Sequence, residues 1–271
     1  MIRHVFFDLD RTLWDFETNS HETLLELCNY YKLKEKGILD YEEFINTYKI
    51  HNEKLWDLYR VDKISQKDLR RERFQRALSD FGIQNSVLAA AIGKQYISIC
   101  PKKNQLFPYS IEVLDYLFGK YKLHIITNGF HKVQHVKLKH ANLTKYFDSI
   151  ITSEQIGIMK PNPKIFEFAL ETANAKSSES VYVGDDLEVD ILGCQNSGMD
   201  GIYFNPKREK HTALLDCELL TKVYKINPDD LYITIFCGSN KDNIPLDTEA
   251  YDIWKKILPK ERILNFGKKD N

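Results

Sequence analysis

The stretch HVFFDLDRTLWD, His4 to Asp15, decides how the chain is read. Its first half is β-branched and aromatic, apolar throughout and too short for a helix, which predicts a central strand buried on both faces. Its second half sets Asp8, Asp10 and Asp15 close together directly after that strand. In an open parallel sheet, ligands bind outside the carboxyl ends of the strands, so acids at this point stand where chemistry is done. Asp8 and Asp10 are two residues apart and project to the same side if the extended geometry persists.

Four similar runs follow much later: Leu123 to Thr127, Ser149 to Thr152, Ser180 to Asp185 and Gly201 to Phe204. Helical patterns alternate with them over Ser110 to Gly119, His131 to Asn142, Pro163 to Ala173 and Leu187 to Ser197, with Pro163 suited to a first turn and Gly198 to a stop. Strand alternating with helix implies an α/β fold, a Rossmann-like parallel sheet with helices on both faces. Between the first strand and the second the texture changes to long helical patterns over Glu22 to Tyr31, Tyr41 to Tyr59, Ser65 to Phe81 and Val87 to Ile99. The expected organisation is a core of residues 1–14 and 101–210, an inserted helical cap of residues 15–100 that would serve as a lid, and an atypical α+β tail of residues 211–271.

At 43% hydrophobic residues the chain can bury a sizeable core, and a formal net charge of -1 gives no steering toward polymeric nucleic acid or an anionic membrane. The basic runs Leu69 to Arg73 and Lys207 to Lys210 are short, carry acids and read as solvated faces. Cys28, Cys100, Cys194, Cys217 and Cys237 are scattered and form no CxxC pair, which predicts reduced thiols in a cytoplasmic protein. No stretch approaches the roughly 20 apolar residues needed to span a bilayer.

The polar clusters all fall at strand ends. Asp8 and Asp10 end the first, Thr127, Asn128 and Gly129 the second, and Asp185 and Asp186 the fourth, while Lys160 follows the third in the loop GIMKPNP. Packing Asp8, Asp10 and Asp185 together would raise their pKa values by mutual repulsion unless a cation sits among them. With no His or Cys pair beside them, a hard divalent ion, Mg2+, is the economical choice, bound through carboxylates and a substrate phosphate. A metal, carboxylates, the Thr127 hydroxyl and the Lys160 charge together describe phosphoryl transfer. Asp186 reads as a helix cap and Asp15 as a turn or hinge residue. His124 reads as a packed histidine, and His131, His135 and His140 as surface residues. Trp14 and Phe16, and Trp56 and Tyr59 in the cap, could stack on a base, although core packing is the simpler reading for each.

DLDRT (Asp8 to Thr12), a strand ending in Thr127-Asn128, Lys160-Pro161 and GDDxxxD (Gly184 to Asp190) together resemble the motifs of the haloacid dehalogenase superfamily of hydrolases. The likeness covers about Met1 to Pro206, with Arg11 at a position that is frequently glycine in relatives. Within that superfamily, Ile125 to Leu138, Lys54 to Phe74 and Ser153 to Phe166 resemble bacterial pyrimidine 5'-nucleotidases, which implies a nucleoside monophosphate as substrate. The resemblance implies Asp8 as a nucleophile that becomes an aspartyl-phosphate, and Asp10 as general acid and base. It implies Mg2+ held by Asp8, Asp185 and the Asp10 carbonyl, with Asp190 a ligand through water or a support, and Thr127, Lys160 and the nearby Asn128 on the phosphate. The Arg11 side chain is expected in solvent or in a salt bridge. A phosphatase of sugar phosphates or phosphoglycolate would use the same core, and a phospho-accepting receiver-like signalling domain shares its acid cluster, Thr and Lys.

The tail differs in texture. Leu231 to Phe236 and Arg262 to Phe266 read as strands and Glu249 to Leu258 as an amphipathic helix. From about Glu218 to Asn271 it resembles part of the aminoacylation domain of alanyl-tRNA synthetase, without the parts that would bind nucleotide or tRNA. It is expected to be a fusion or truncation scar that contributes no chemistry.

Overall fold

A computed structural model of the chain describes residues 2–205 and two short strands beyond them, Val223–Tyr224 and Ile233–Phe236. The described residues divide into two compact units, and the strands belong to the first, which takes in residues 1–15 and the chain from 106 onward. Five strands run parallel: β1 (His4–Phe7), β2 (Lys122–Thr127), β3 (Ser149–Thr152), β4 (Ser180–Gly184) and β5 (Asp200–Phe204). With β6 (Val223–Tyr224) and β7 (Ile233–Phe236) the order across the sheet is β3-β2-β1-β4-β5-β7-β6. β7 pairs antiparallel with β5, Ile202 opposite Ile235, so the strand expected over Leu231 to Phe236 joins the sheet through its last four residues. The helix and strand expected further along the tail, Glu249 to Leu258 and Arg262 to Phe266, lie outside the described residues, as do Cys217 and Cys237.

The register explains why the acids meet. Phe7 lies beside Ile125 of β2 and Val183 of β4, so Asp8, Thr127 and Asp185 all emerge within two residues of one edge. One face of the sheet packs Phe6, Ile126, Ile151 and Tyr182 against Ile165, Phe166, Ala169 and Leu170, with Cys194 and Met199 closing the cluster. Val5, Phe7, Leu123, Ile125, Val181 and Val183 alternate with these and are buried too, which is what a run of apolar β-branched and aromatic residues requires of a central strand.

The four helices of the second unit, residues 16–105, come first along the chain: α1 (Phe16–Tyr30), α2 (Tyr41–Arg60), α3 (Gln66–Asp80) and α4 (Ser86–Ile99). The Asp40, Ser65 and Asn85 side chains cap the last three by accepting from backbone N–H groups two or three residues on. Leu24, Leu27, Phe44, Tyr48, Phe74 and Tyr96 lie in its core. The unit runs five residues beyond the expected boundary. The buried Asn19 amide donates to the Gln105 carbonyl (2.8 Å) and accepts from its N–H (3.1 Å), tying the returning chain to α1. The Trp56 and Tyr59 rings meet edge to face, 5.6 Å apart.

The first unit continues with α5 (Ser110–Leu117), α6 (His131–His140), a single turn α7 (Ser153–Ile156) and α8 (Pro163–Ala173). Pro163 opens α8, where its missing N–H is no loss, and the Asn162 side chain caps it. The helix expected over Leu187 to Ser197 is instead a π-helical stretch, Leu187–Leu192, that tightens into α9 (Gly193–Gln195). The Asp186 carbonyl accepts from both Asp190 and Ile191 there, while its side chain accepts from Glu188 and Val189 as the expected cap. Widened turns of this kind concentrate at functional sites because they redirect a side chain.

His124 is buried, its ring stacked 4.6 Å from Phe6 and hydrogen-bonded to His4 Nδ1 (3.1 Å) and Ser149 Oγ (2.8 Å). Burial, reinforced by His4, pushes its pKa down from 6.5 to about 4. The folded state therefore takes up this proton less readily than the unfolded chain, so the neutral ring contributes stability above pH 6.5 that is lost as the pH falls toward 4. Urea unfolding at pH 7, 5.5 and 4.5 should show a shallower loss with acid for His124→Gln than for the native protein; parallel slopes would contradict this.

Candidate active site

Asp8 directly follows β1, and its N–H donates to the Val183 carbonyl at 2.8 Å, which locks it against β4. The residue is 6% exposed, and Oδ1 accepts from Lys160 Nζ at 2.6 Å. The same ammonium reaches Asp190 Oδ1 (2.6 Å) and the Tyr182 hydroxyl (2.8 Å), so three oxygens from three segments surround one buried cation. Asn128 sets Lys160 there. Its amide donates to the Lys160 carbonyl (3.0 Å) and accepts from the Lys160 N–H (2.8 Å), and the Lys160–Pro161 peptide is cis. Asn128 was expected near a phosphate; its side chain is committed to the lysine loop instead.

Asp185, Asp190 and Asp8 bring carboxylate oxygens within 4.8 Å of one another. Burial pushes the Asp8 pKa up to about 7, Asp190 and Asp10 adding to the shift while Lys160 opposes it. Asp185 is raised by burial and by Asp190 and Asp8, against Arg11 and Lys160. Burial works against the Lys160 charge, but Asp190 and Asp8 outweigh it and hold its pKa above the ordinary lysine value. Even with Lys160 in place Asp8 and Asp185 remain hard to ionise, so the set has room for more positive charge, and its all-oxygen chemistry fits a hard divalent cation. The donors are not equivalent. Both Asp190 oxygens are occupied, Oδ1 by Lys160 and Tyr182 and Oδ2 by the Asp186 N–H (3.1 Å), whereas Asp185 Oδ1 accepts from the Thr12 hydroxyl (3.2 Å). Asp8 and Asp185 are the residues that could hold such a cation, while Asp190 is engaged with Lys160.

The Asp10 side chain turns the other way, to α6. Gln134 Nε2 donates to its Oδ2 (2.9 Å) and Lys137 Nζ to its Oδ1 (2.5 Å). Of the acids expected to hold metal, Asp10 is thus the one whose carboxylate lies outside the cluster. Gln134 Nε2 also donates to Thr127 Oγ1 (2.7 Å), which accepts from the Gly129 N–H as well (3.1 Å). With both lone pairs engaged, the Thr127 hydroxyl keeps its own hydrogen to donate.

Trp14 is not placed to meet a substrate. It is fully buried, its backbone N–H donating to the Leu9 carbonyl (2.8 Å), and the Lys137 ammonium sits 4.4 Å from its ring centroid. Phe16 opens α1 in the helical unit and is half-buried. Arg11 has φ 68, a left-handed backbone that explains why glycine suits this position, and its N–H closes the turn onto the Trp14 carbonyl (2.9 Å). His131 is held by Thr152 and Glu154, and His135 lies against it; no metal cluster forms at these histidines among the described residues.

Sequence reasoning missed Gln134, Lys137, Tyr182 and Gly184. The first two lie one helical turn apart, a signal for a shared face, but nothing in the sequence says which strand that face meets. Gly184 is needed for space: a Cβ there would come within 2.4 Å of Asp190 Oδ2.

Comparison with known proteins bears on this geometry. A family model described as haloacid dehalogenase-like hydrolase matches residues 5–204. The pyrimidine 5'-nucleotidase PynA of Streptococcus pneumoniae is 31% identical over 213 residues, 78% of this chain and 87% of that protein. A glyceraldehyde 3-phosphate phosphatase of Methanothermobacter thermautotrophicus is 32% identical, over 76% and 86% of the two chains. The magnesium-bound structure of the HAD-hydrolase YfnB from Bacillus subtilis superposes with a TM-score of 0.69 at 25% identity, covering 77% of this chain and 91% of that one. Separately, a C-terminal fragment is 58% identical over 55 residues to the alanine–tRNA ligase of Christiangramia forsetii, 20% of this chain but 6% of the ligase.

Gly184→Ala should push Asp190 off Lys160. An unfolding curve should show a loss of about 1–3 kcal/mol, the range for overpacking a filled site, and an unchanged midpoint would show that the close approach is not needed.

Proposed function

Because the chain belongs to the haloacid dehalogenase-like hydrolases, we propose that it is a Mg2+-dependent phosphomonoesterase that works through Asp8 and takes nucleoside 5'-monophosphates, as the pyrimidine nucleotidase among its relatives does by name. The observation that carries this reading is the contrast between two carboxylates at the end of one strand. Asp8 is buried against Lys160 and the other acids, whereas Asp10 is held by α6 at 26% side-chain exposure. Two acids placed in different environments can take different roles.

In the first half of the reaction an Asp8 oxygen bonds to phosphorus as the bond to the ester oxygen breaks, and Asp10 gives its proton to the departing alkoxide. In the second half, Asp10 takes a proton from the water that attacks phosphorus, and the electron pair of the Asp8–phosphate bond returns to Asp8. Lys160 and the Thr127 hydroxyl face the charge spread over the phosphoryl oxygens, while Asn128 and Asp190 hold Lys160 in place. When bound at Asp8 and Asp185, Mg2+ supplies further positive charge against those oxygens. The buried thiols of Cys28, Cys100 and Cys194 suit a cytoplasmic enzyme of small phosphorylated metabolites; no helix among the described residues is long and apolar enough to cross a membrane.

A sugar-phosphate substrate is the second reading, favoured by the 32% identity to the glyceraldehyde 3-phosphate phosphatase. A receiver-like domain would hold its phosphate without an acid such as Asp10 and would not turn over.

Phosphate release should be screened across nucleoside, deoxynucleoside and sugar monophosphates with Mg2+. Nucleoside 5'-monophosphates should lead, EDTA should abolish release reversibly, and Asp8→Asn should lower it by at least about 1,000-fold, the scale for loss of a nucleophile. Preference for a sugar phosphate would replace the substrate assignment, and metal-independent turnover would overturn the mechanism.

A further inference from the structure

We propose that Lys137 and Gln134 of α6 are positioning residues for Asp10, a clamp that determines how well the enzyme expels a poor leaving group. The proposal rests on the phosphomonoesterase reading and adds to it two residues that the haloacid dehalogenase motifs do not contain.

Both Asp10 oxygens are taken from one helix face. Lys137 Nζ holds Oδ1 at 2.5 Å and Gln134 Nε2 holds Oδ2 at 2.9 Å, the two residues lying three apart on α6. Neither is a mobile surface group: Gln134 is fully buried and Lys137 is 5% exposed. Each is fixed from a second side, Gln134 by the Thr127 hydroxyl and Lys137 by the face of Trp14. The clamp thus links the acid to the Thr127 hydroxyl, so that the group facing the phosphoryl oxygens and the group facing the leaving oxygen are held by one amide.

This arrangement favours one stage of the reaction. When the ester P–O bond breaks, the Asp10 proton passes to the departing alkoxide and negative charge remains on the Asp10 carboxylate. The Lys137 ammonium and the Gln134 N–H already stand where that charge appears, so no group has to reorient as it forms. The benefit grows with the need for the proton. An alkyl leaving group cannot depart without it, whereas p-nitrophenolate can. In the second half the same clamp aims the carboxylate at the incoming water.

The test is kcat/KM, which reports steps through the first departure, measured on p-nitrophenyl phosphate and on an alkyl monophosphate such as a nucleoside 5'-monophosphate with Mg2+. Lys137→Met should lower the alkyl value by about 100-fold, the low end for general acid catalysis, and the aryl value by less than about five-fold. Lys137→Arg, which restores the charge, should recover much of the alkyl rate, and Gln134→Met, which also releases the Thr127 hydroxyl, should lower both values but the alkyl one more. Equal losses on both esters in either Met variant, or no loss, would overturn the clamp while leaving phosphomonoesterase activity intact. If the native protein releases phosphate from neither ester, the underlying reading fails instead. Circular dichroism of each variant separates either result from unfolding.

Discussion

One buried ammonium organises this molecule. Lys160 Nζ, 2.6 Å from both Asp8 and Asp190 and 2.8 Å from the Tyr182 hydroxyl, is an ion whose burial would cost several kcal/mol if any of these partners were removed. The surrounding structure serves that placement. Asn128 grips the Lys160 backbone from the end of β2, Gly184 leaves room for Asp190 beside β4, and the widened turn after Asp186 sends Asp190 back to the lysine. Those segments converge because β1 lies between β2 and β4, a neighbourhood set by backbone pairing and not by the charges themselves.

The outcome is a carboxylate, Asp8, held in a poised state. Burial and neighbouring acids raise the Asp8 pKa to about 7 while Lys160 opposes the rise, so added positive charge favours the ionised carboxylate. Asp10, two residues away, answers to different groups. Its contacts come from Gln134 and Lys137, so one short turn after one strand presents two acids in separate electrostatic surroundings.

The parallel sheet was legible in the sequence because each buried strand is a short apolar run, and the order of strand and helix admits few arrangements. The acids, Thr127 and Lys160 were legible because the sheet collects its ligands at strand ends. What escaped was set by tertiary contact. Gln134 and Lys137 read as ordinary polar letters on a helix, Tyr182 as one more apolar strand residue, and Asn128 as a phosphate ligand. Trp14, an aromatic beside the motif, was open to reading as a stacking platform, but its indole is fully buried and faces the Lys137 ammonium. The π-helical turn after Asp186 has no periodic signal, since the side-chain pattern over Leu187–Leu192 suits an α-helix equally well.

The most direct test is to acid-quench the protein during turnover with Mg2+ and the best substrate found, and to map any phosphorylated peptide by mass spectrometry. Phosphate should be found on the peptide that contains Asp8 and should be absent from Asp8→Asn. Phosphate carried on another residue, or rapid turnover with no trappable adduct in the native protein, would contradict a reaction that passes through Asp8.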